Sequence, residues 1–196
     1  MVDVIMARTF EHSTIEELAK YSSVPVINAL SNLEHPCQIL ADLLTIKEKK
    51  ERLKGLKLAF VGDGENNVTH SLALASGLLG IDFRVAAPNG YWMQKKVANK
   101  AKSFAKKSGA KILETVSSEE AVKGADVVYT DTWVSMGDEA EKEKSIKIFK
   151  KYQVTSNLMK LAKKDAIFMH DMPAYRGSEV DTLVIDGPQS VIIDQA

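Results

Sequence analysis

At 196 residues the chain can hold one large domain, or one domain and part of another. Its 26 basic and 26 acidic side chains cancel, so nothing in the charge favours nucleic acid or an anionic membrane as a partner. A single cysteine, Cys37, excludes an internal disulfide, no apolar run reaches the length of a membrane span, and "MVDVIMARTF" lacks the layout of a secretory signal; a cytoplasmic protein is expected.

Short β-branched runs alternate with stretches of helical period along the sequence. A first strand is expected at Val4–Met6, followed by a helix over Ser13–Ser22 with Glu16 and Glu17 in its first turn, where the helix dipole favours acids. A second strand, Val24–Ile27, leads into "NALSNLEHPCQILADLLT". Pro36 has the fixed φ suited to a first helical position. His35 then stands just outside that helix and Gln38 lies in its first turn, where free N–H groups attract an anion or a partly negative oxygen. Ile39, Leu40, Leu43, Leu44 and Ile46 give the apolar stripe of a helix over Pro36–Arg52, closed by cations and Gly55. A boundary after this helix divides the chain into a partial domain over residues 1–52 and a second domain over residues 53–196.

The second part repeats strand and helix. Strands are expected at Leu58–Val61, Phe83–Ala86, Lys111–Thr115, Val127–Thr130, Ala166–Met169 and Ser190–Ile193, with helices near Val68–Leu79, Lys95–Lys107, Ser118–Lys123, Glu139–Phe149 and Ser156–Leu161. Such alternation predicts an α/β fold with a doubly wound, mainly parallel sheet, whose ligands sit beyond the carboxyl ends of the strands. The three lysine-rich stretches read as solvated helix faces. Because the sequence opens on one strand and stops just after another, we expect it to be a piece, or a reduced form, of something longer.

Three strand ends carry polar groups. "LAFVGDGENNVTHS" has Gly62 and Gly64 in G-x-G, but Asn67 replaces the third glycine of a dinucleotide fingerprint, and no acid follows the next strand at "VAAPNG". Its two amides suit a small polar ligand, or simply cap the helix. "VVYTDTWVSMGDE" offers Asp131, Ser135, Met136 and Gly137, a carboxylate and a hydroxyl for a ligand bearing an ammonium group, or a structural loop. "AIFMHDMPAYRG" ends an apolar strand on His170 and Asp171 side by side, then Met172-Pro173. His170 reads as a structural histidine at the strand end. Histidines 12, 35, 70 and 170 have no metal-ligand spacing, and no metal is expected.

Together these segments resemble the ornithine carbamoyltransferase family, within the aspartate/ornithine carbamoyltransferase superfamily. "HPCQILADLLT" is similar to its His-Pro-x-Gln helix, "DTWVSMG" to its Asp-x-x-x-Ser-Met-Gly loop, and "GDGENN" to its amide-bearing loop. "MHDMPAYRG" is similar to its His-Cys-Leu-Pro segment, and "VIMARTF" to its strand ending in a functional arginine. The resemblance runs in order over essentially the whole chain, and the Ser-Met-Gly loop is its most specific element. It implies an ornithine-binding domain joined by an interdomain helix to an incomplete carbamoyl phosphate domain. It also implies transfer of a carbamoyl group from carbamoyl phosphate to the δ-amino group of L-ornithine, giving L-citrulline and phosphate, as in arginine biosynthesis. No cofactor is implied, and the family is commonly trimeric. By the same resemblance Arg8 and His35 would polarise the carbamoyl oxygen. Gln38, with the main chain at Asp171 and Met172, would hold the carbamoyl amide. Asn67, Asp131, Ser135 and Met136 would grip ornithine.

Two departures qualify this. The family's Ser-Thr-Arg-Thr-Arg phosphate motif does not occur in the 196 residues. Losing three charge-assisted hydrogen bonds costs on the order of 5–8 kcal/mol, roughly four to six decades of affinity, so this chain alone is expected to be weak or inactive. Asp171 stands where the family has cysteine, and Met172 where it has leucine. The aspartate could attract the amine and accept its proton, tune the site to another amine such as putrescine or an acylated ornithine, or mark a non-catalytic relative.

Overall fold

A computed structural model describes residues 2–133 and 142–196. Two parallel sheets organise it. The smaller pairs β1 (Ile5–Arg8) with β2 (Val26–Leu30) and is flanked by α1 (His12–Tyr21) and α2 (Pro36–Lys50). The larger has the strand order β5 (Ile112–Thr115), β4 (Asp82–Ala86), β3 (Lys57–Val61), β6 (Val127–Thr130), β7 (Ile167–His170), every neighbouring pair parallel. Around it run α3 (Asn67–Leu79), α4 (Lys95–Ser108), α5 (Ser118–Val122), α6 (Lys142–Phe149), α7 (Ser156–Met159), α8 (Thr182–Ile185) and α9 (Ile192–Gln195). The chain therefore leaves β3 in one direction across the sheet and returns to add β6 on the other side. That switch point lies between β3 and β6, and it is where doubly wound sheets open a crevice.

In β3, β6 and β7 the strands read as nearly continuous apolar runs because both faces of the larger sheet are covered there, whereas β1, β2 and β5 leave Met6, Ile27 and Leu113 exposed. Alternation assigns the faces. Leu58, Phe60, Val127, Tyr129, Ile167 and Met169 pack into a core under α2, α3 and α4, whereas Ala59, Val61, Val128 and Phe168 pack into a second core under α5, α7 and α8. Thr130 Oγ1 donates to the Val61 carbonyl at 2.6 Å, pinning the carboxyl ends of β3 and β6 together at the switch point.

Most expected elements occur within a few residues of their expected bounds; residues 139–141 of the Glu139–Phe149 helix lie outside the described residues. Three details differ. The helix from Pro36 stops at Lys50, where Glu51 takes the left-handed capping conformation with φ 61° and donates its N–H to the Lys47 carbonyl, so Gly55 belongs to the following turn. The buried face of α2 carries Ile39, Asp42, Thr45 and Ile46, while Leu40 and Leu44 are exposed. The strand expected at Ser190–Ile193 is a single bridge from Ser190 to Phe168, after which the chain coils into α9. Its β-branched run suggested an extended strand, but Val191 and Ile192 are buried in opposite cores and the Gln195 side chain turns inward to bond the floor of the crevice. No helix among the described residues is long and apolar enough to cross a membrane.

Candidate functional site

The two sheets meet at the carboxyl ends of β3, β6 and β7 and the N-terminus of α2, and this bonded junction is the candidate crevice. His35 is the N-cap of α2, and its own N–H donates to Ser71 Oγ of α3 at 2.8 Å. Asn67 Nδ2, at the start of α3, reaches back to the Ser31 carbonyl at 2.8 Å. These two bonds fasten the segment before α2 to the first turns of α3. His70, fully buried, adds a third: its Nδ1–H donates to the Leu33 carbonyl at 3.0 Å, and Nε2 accepts the Gln94 N–H at 3.1 Å.

The two amides after β3 do different work. Asn66 caps α3, its Oδ1 accepting the Thr69 N–H at 2.7 Å, and its Nδ2 donates to Asp131 Oδ2 at 2.8 Å. Gly64 has a packing role instead of a phosphate-binding one. Its N–H donates to the Tyr91 carbonyl at 3.0 Å, and a Cβ there would collide with that same oxygen.

Asp131 follows β6, and Asp171 follows the neighbouring β7. Asp131 Oδ1 also accepts the Thr132 N–H at 2.6 Å. His35 senses both sides of the crevice. Desolvation lowers its pKa first and the Arg8 guanidinium lowers it further, against the Asp131 carboxylate and the Ala29 carbonyl, which raise it. The ring is therefore held neutral near pH 7. Arg8 is exposed at the end of β1, where the pairing register with β2 shifts between Ala7 and Arg8. Arg8 and Asp131 thus both act on His35, Asp171 adjoins Asp131, and Asn67 is bonded to Ser31 on the opposite side of the junction. Ser135 and Met136 lie outside the described residues.

A buried polar floor joins these elements, and sequence reasoning missed most of it. Gln38 Nε2 donates to Asp42 Oδ1 at 3.0 Å, one helical turn on. Gln195 Nε2 donates to the same oxygen at 2.7 Å and to the Tyr129 hydroxyl at 3.0 Å, while its Oε1 accepts the His170 N–H at 3.0 Å. Burial pushes the Asp42 carboxyl up to about 6, against the bonds from Gln38, Gln195 and Tyr129, which favour its ionised form. Burial, followed by the charge of Asp42, drives the Tyr129 phenol well above its usual range. The one available sequence signal was that Asp42 lies four residues after Gln38 and shares the helix face of Ile39 and Ile46.

Beyond β7 the chain reverses over a short turn. Met172 takes φ 53° and donates its N–H to His170 Nδ1 at 3.0 Å; its side chain is exposed. His170 Nε2 faces Glu179 Oε1 at 3.2 Å, both groups fully buried. His170 is thus a satisfied structural histidine, as its strand-end position suggested. Asp131, His170 and Asp171 each bring a ligand-type atom within 4.8 Å of the others. With both imidazole nitrogens engaged, the trio is one donor short of a three-ligand cage.

The family profile described as "Aspartate/ornithine carbamoyltransferase, Asp/Orn binding domain" covers residues 54–196, and that of its carbamoyl-P binding domain covers residues 1–48. Ornithine carbamoyltransferase of Caldicellulosiruptor saccharolyticus is 58% identical over 195 residues, covering 100% of this chain and 63% of the relative. That of Methanobrevibacter smithii is 55% identical, with 100% and 64% covered. The ornithine carbamoyltransferase structure from Pyrococcus furiosus superimposes with a TM-score of 0.95 at 52% identity, over 99% of this chain and 62% of that one. The anabolic enzyme from Campylobacter jejuni gives 0.94 at 43%, over 100% and 64%. The chain thus spans about 63% of the length of the curated relatives it matches. With both domain profiles matched in order over residues 1–48 and 54–196, the chain belongs to the aspartate/ornithine carbamoyltransferase family.

Proposed function

We propose that the crevice binds carbamoyl phosphate and L-ornithine, and that the protein to which these residues belong transfers the carbamoyl group to the δ-amine, giving L-citrulline and phosphate. What supports this reading is that Arg8 of one sheet and Asp131 of the other both act on His35, that Asp171 adjoins Asp131, and that Asn67 bonds across to Ser31. A neutral His35 donates one N–H to the carbamoyl oxygen, and Arg8 supplies positive charge as negative charge builds there. The Gln38 amide N–H is fixed on Asp42, which turns its carbonyl towards the carbamoyl NH2. Asn67 and Asp131 receive ornithine, with Ser135 and Met136 joining them. Holding both substrates in line removes much of the entropic barrier.

Without the arginine-rich phosphate motif, a polypeptide of these 196 residues alone should bind carbamoyl phosphate feebly and make little citrulline. By the family resemblance the acceptor is ornithine and the assembly a trimer serving arginine biosynthesis, and the single cysteine suits the cytoplasm. Asp171, in place of the family's cysteine, favours one second reading, a relative that binds amines without catalysis.

Calorimetric titration with L-ornithine or L-norvaline tests the reading. Asp131→Ala should weaken binding by roughly tenfold to 150-fold, the loss of one charge-assisted hydrogen bond. Equal affinity in both proteins would remove Asp131 from the site.

A further inference from the structure

Asp131 and Asp171 enter the crevice from adjacent strands with few groups to hold two negative charges. Asp131 is served by Asn66 Nδ2 and the Thr132 N–H. The Asp171 side chain is 12% exposed, and its Oδ1 is fully buried with no hydrogen-bond donor among the described residues. The nearest imidazole nitrogen cannot supply one. His170 Nδ1, 3.6 Å from that oxygen, already accepts the Met172 N–H, which places the ring proton on Nε2, facing Glu179.

The other charged and titratable groups around the pair do not neutralise it. Asp42 of α2 acts on Asp171 as a further negative charge, while Tyr129 of β6 is a neutral phenol. His35 acts on Asp131 across the crevice but is itself held neutral, and Arg8 beyond it is exposed at the end of β1. Neither carboxylate makes an ion pair with a lysine or arginine among the described residues. Two carboxylates whose oxygens lie within 4.8 Å, one of them largely buried, do not both ionise. Burial first, and the neighbouring Asp131 second, accordingly hold Asp171 well above the carboxylate range.

We propose that the Asp131–Asp171 pair stores one proton in the free protein, carried by Asp171 and donated to Asp131, and that an incoming primary ammonium expels it. The exchange balances. The free pair carries one negative charge and one proton. With an ammonium in the proton's place both carboxylates are ionised, the proton leaves to solvent, and the local net charge is unchanged. This rests on the amine-site reading above and deepens it. Asp171 cannot act as a base in the free protein, since its site is already protonated. It ionises only once the amine has arrived, and until then it does not repel a neighbouring phosphate dianion. Amine affinity should rise about tenfold per pH unit while the pair remains protonated.

Two measurements test this. Infrared difference spectra at pH 7 without ligand, wild type against Asp171→Asn, should reveal a protonated-carboxyl C=O stretch that the variant lacks. Asp171→Cys must lack it too, and serves if the first variant fails to fold. Absence of the band from the wild type overturns the stored proton. Calorimetry with L-ornithine in buffers of different ionisation enthalpy should then register close to one more proton released by the wild type than by the variant. Equal release overturns the exchange. Failure of ornithine to bind either protein, with the band present, overturns the amine-site reading and the exchange with it, and leaves the stored proton supported.

Discussion

Asp42 lies at the centre of the polar floor although it belongs to the interior of a helix. Its carboxylate is fully buried, takes amide bonds from Gln38 and Gln195, and titrates at about 6 because burial outweighs those bonds. The sign for stability follows from linkage. A carboxyl raised above its unfolded value near 3.8 costs nothing while both states are protonated, and destabilises progressively as pH climbs through about 6. Asp42→Asn keeps an oxygen for both amides and removes the charge. Relative to the wild type it should gain on the order of 3 kcal/mol between pH 4 and pH 7, from roughly two pKa units. Urea unfolding at the two pH values checks this, and parallel profiles would mean that Asp42 ionises freely. His35, Asn67 and Asp131 were proposed from the sequence because each follows a strand or opens a helix, where such folds place ligands. Asp42 and Gln195 were not, because a polar residue inside a helix reads as solvated and its partner here is 153 residues away.

Among the elements, α3 and α4 approach closely over Gly77, where an added Cβ would stand 2.6 Å from the Ala101 carbonyl and 3.2 Å from the Phe104 Cβ. Backbone occupies that space, so no side chain can swing aside. Gly77→Ala should therefore destabilise the protein by about 1–3 kcal/mol despite better helix propensity, seen as a lowered Tm. An unchanged or higher Tm would mean that the helices separate freely. The central strands β3, β6 and β7 were readable from their β-branched runs because burial on both faces leaves little else to specify them. The last element was not, since Val191-Ile192-Ile193 has strand propensity while its conformation is set by which cores and which buried amides it must reach. The orientation of α2 was only half legible: the spacing gave the helix, but Leu40 and Leu44 suited the apolar face as well as Asp42 and Thr45 did not.

At the scale of the molecule, the two sheets are joined by side-chain bonds that also build the site. Ser31, Leu33 and His35 on one side meet Asn67, His70 and Ser71 on the other. Lys49 of α2 pairs with Asp194 of α9 at 3.0 Å, a half-exposed contact of little energetic weight. The buried bonds of Gln195 to Asp42, Tyr129 and His170 hold α9 far more firmly. Fold class was readable from motif order, and the expected site residues follow from it, because a doubly wound sheet brings successive strand ends to one edge whatever the loops between them do. The central claim is that groups from both sheets serve one ligand-binding crevice. Hydrogen–deuterium exchange with and without saturating L-norvaline tests it most directly. Coordinated protection is expected at residues 31–38, 63–71, 131–133 and 170–172; protection confined to one sheet, or lying away from all four segments, would contradict it.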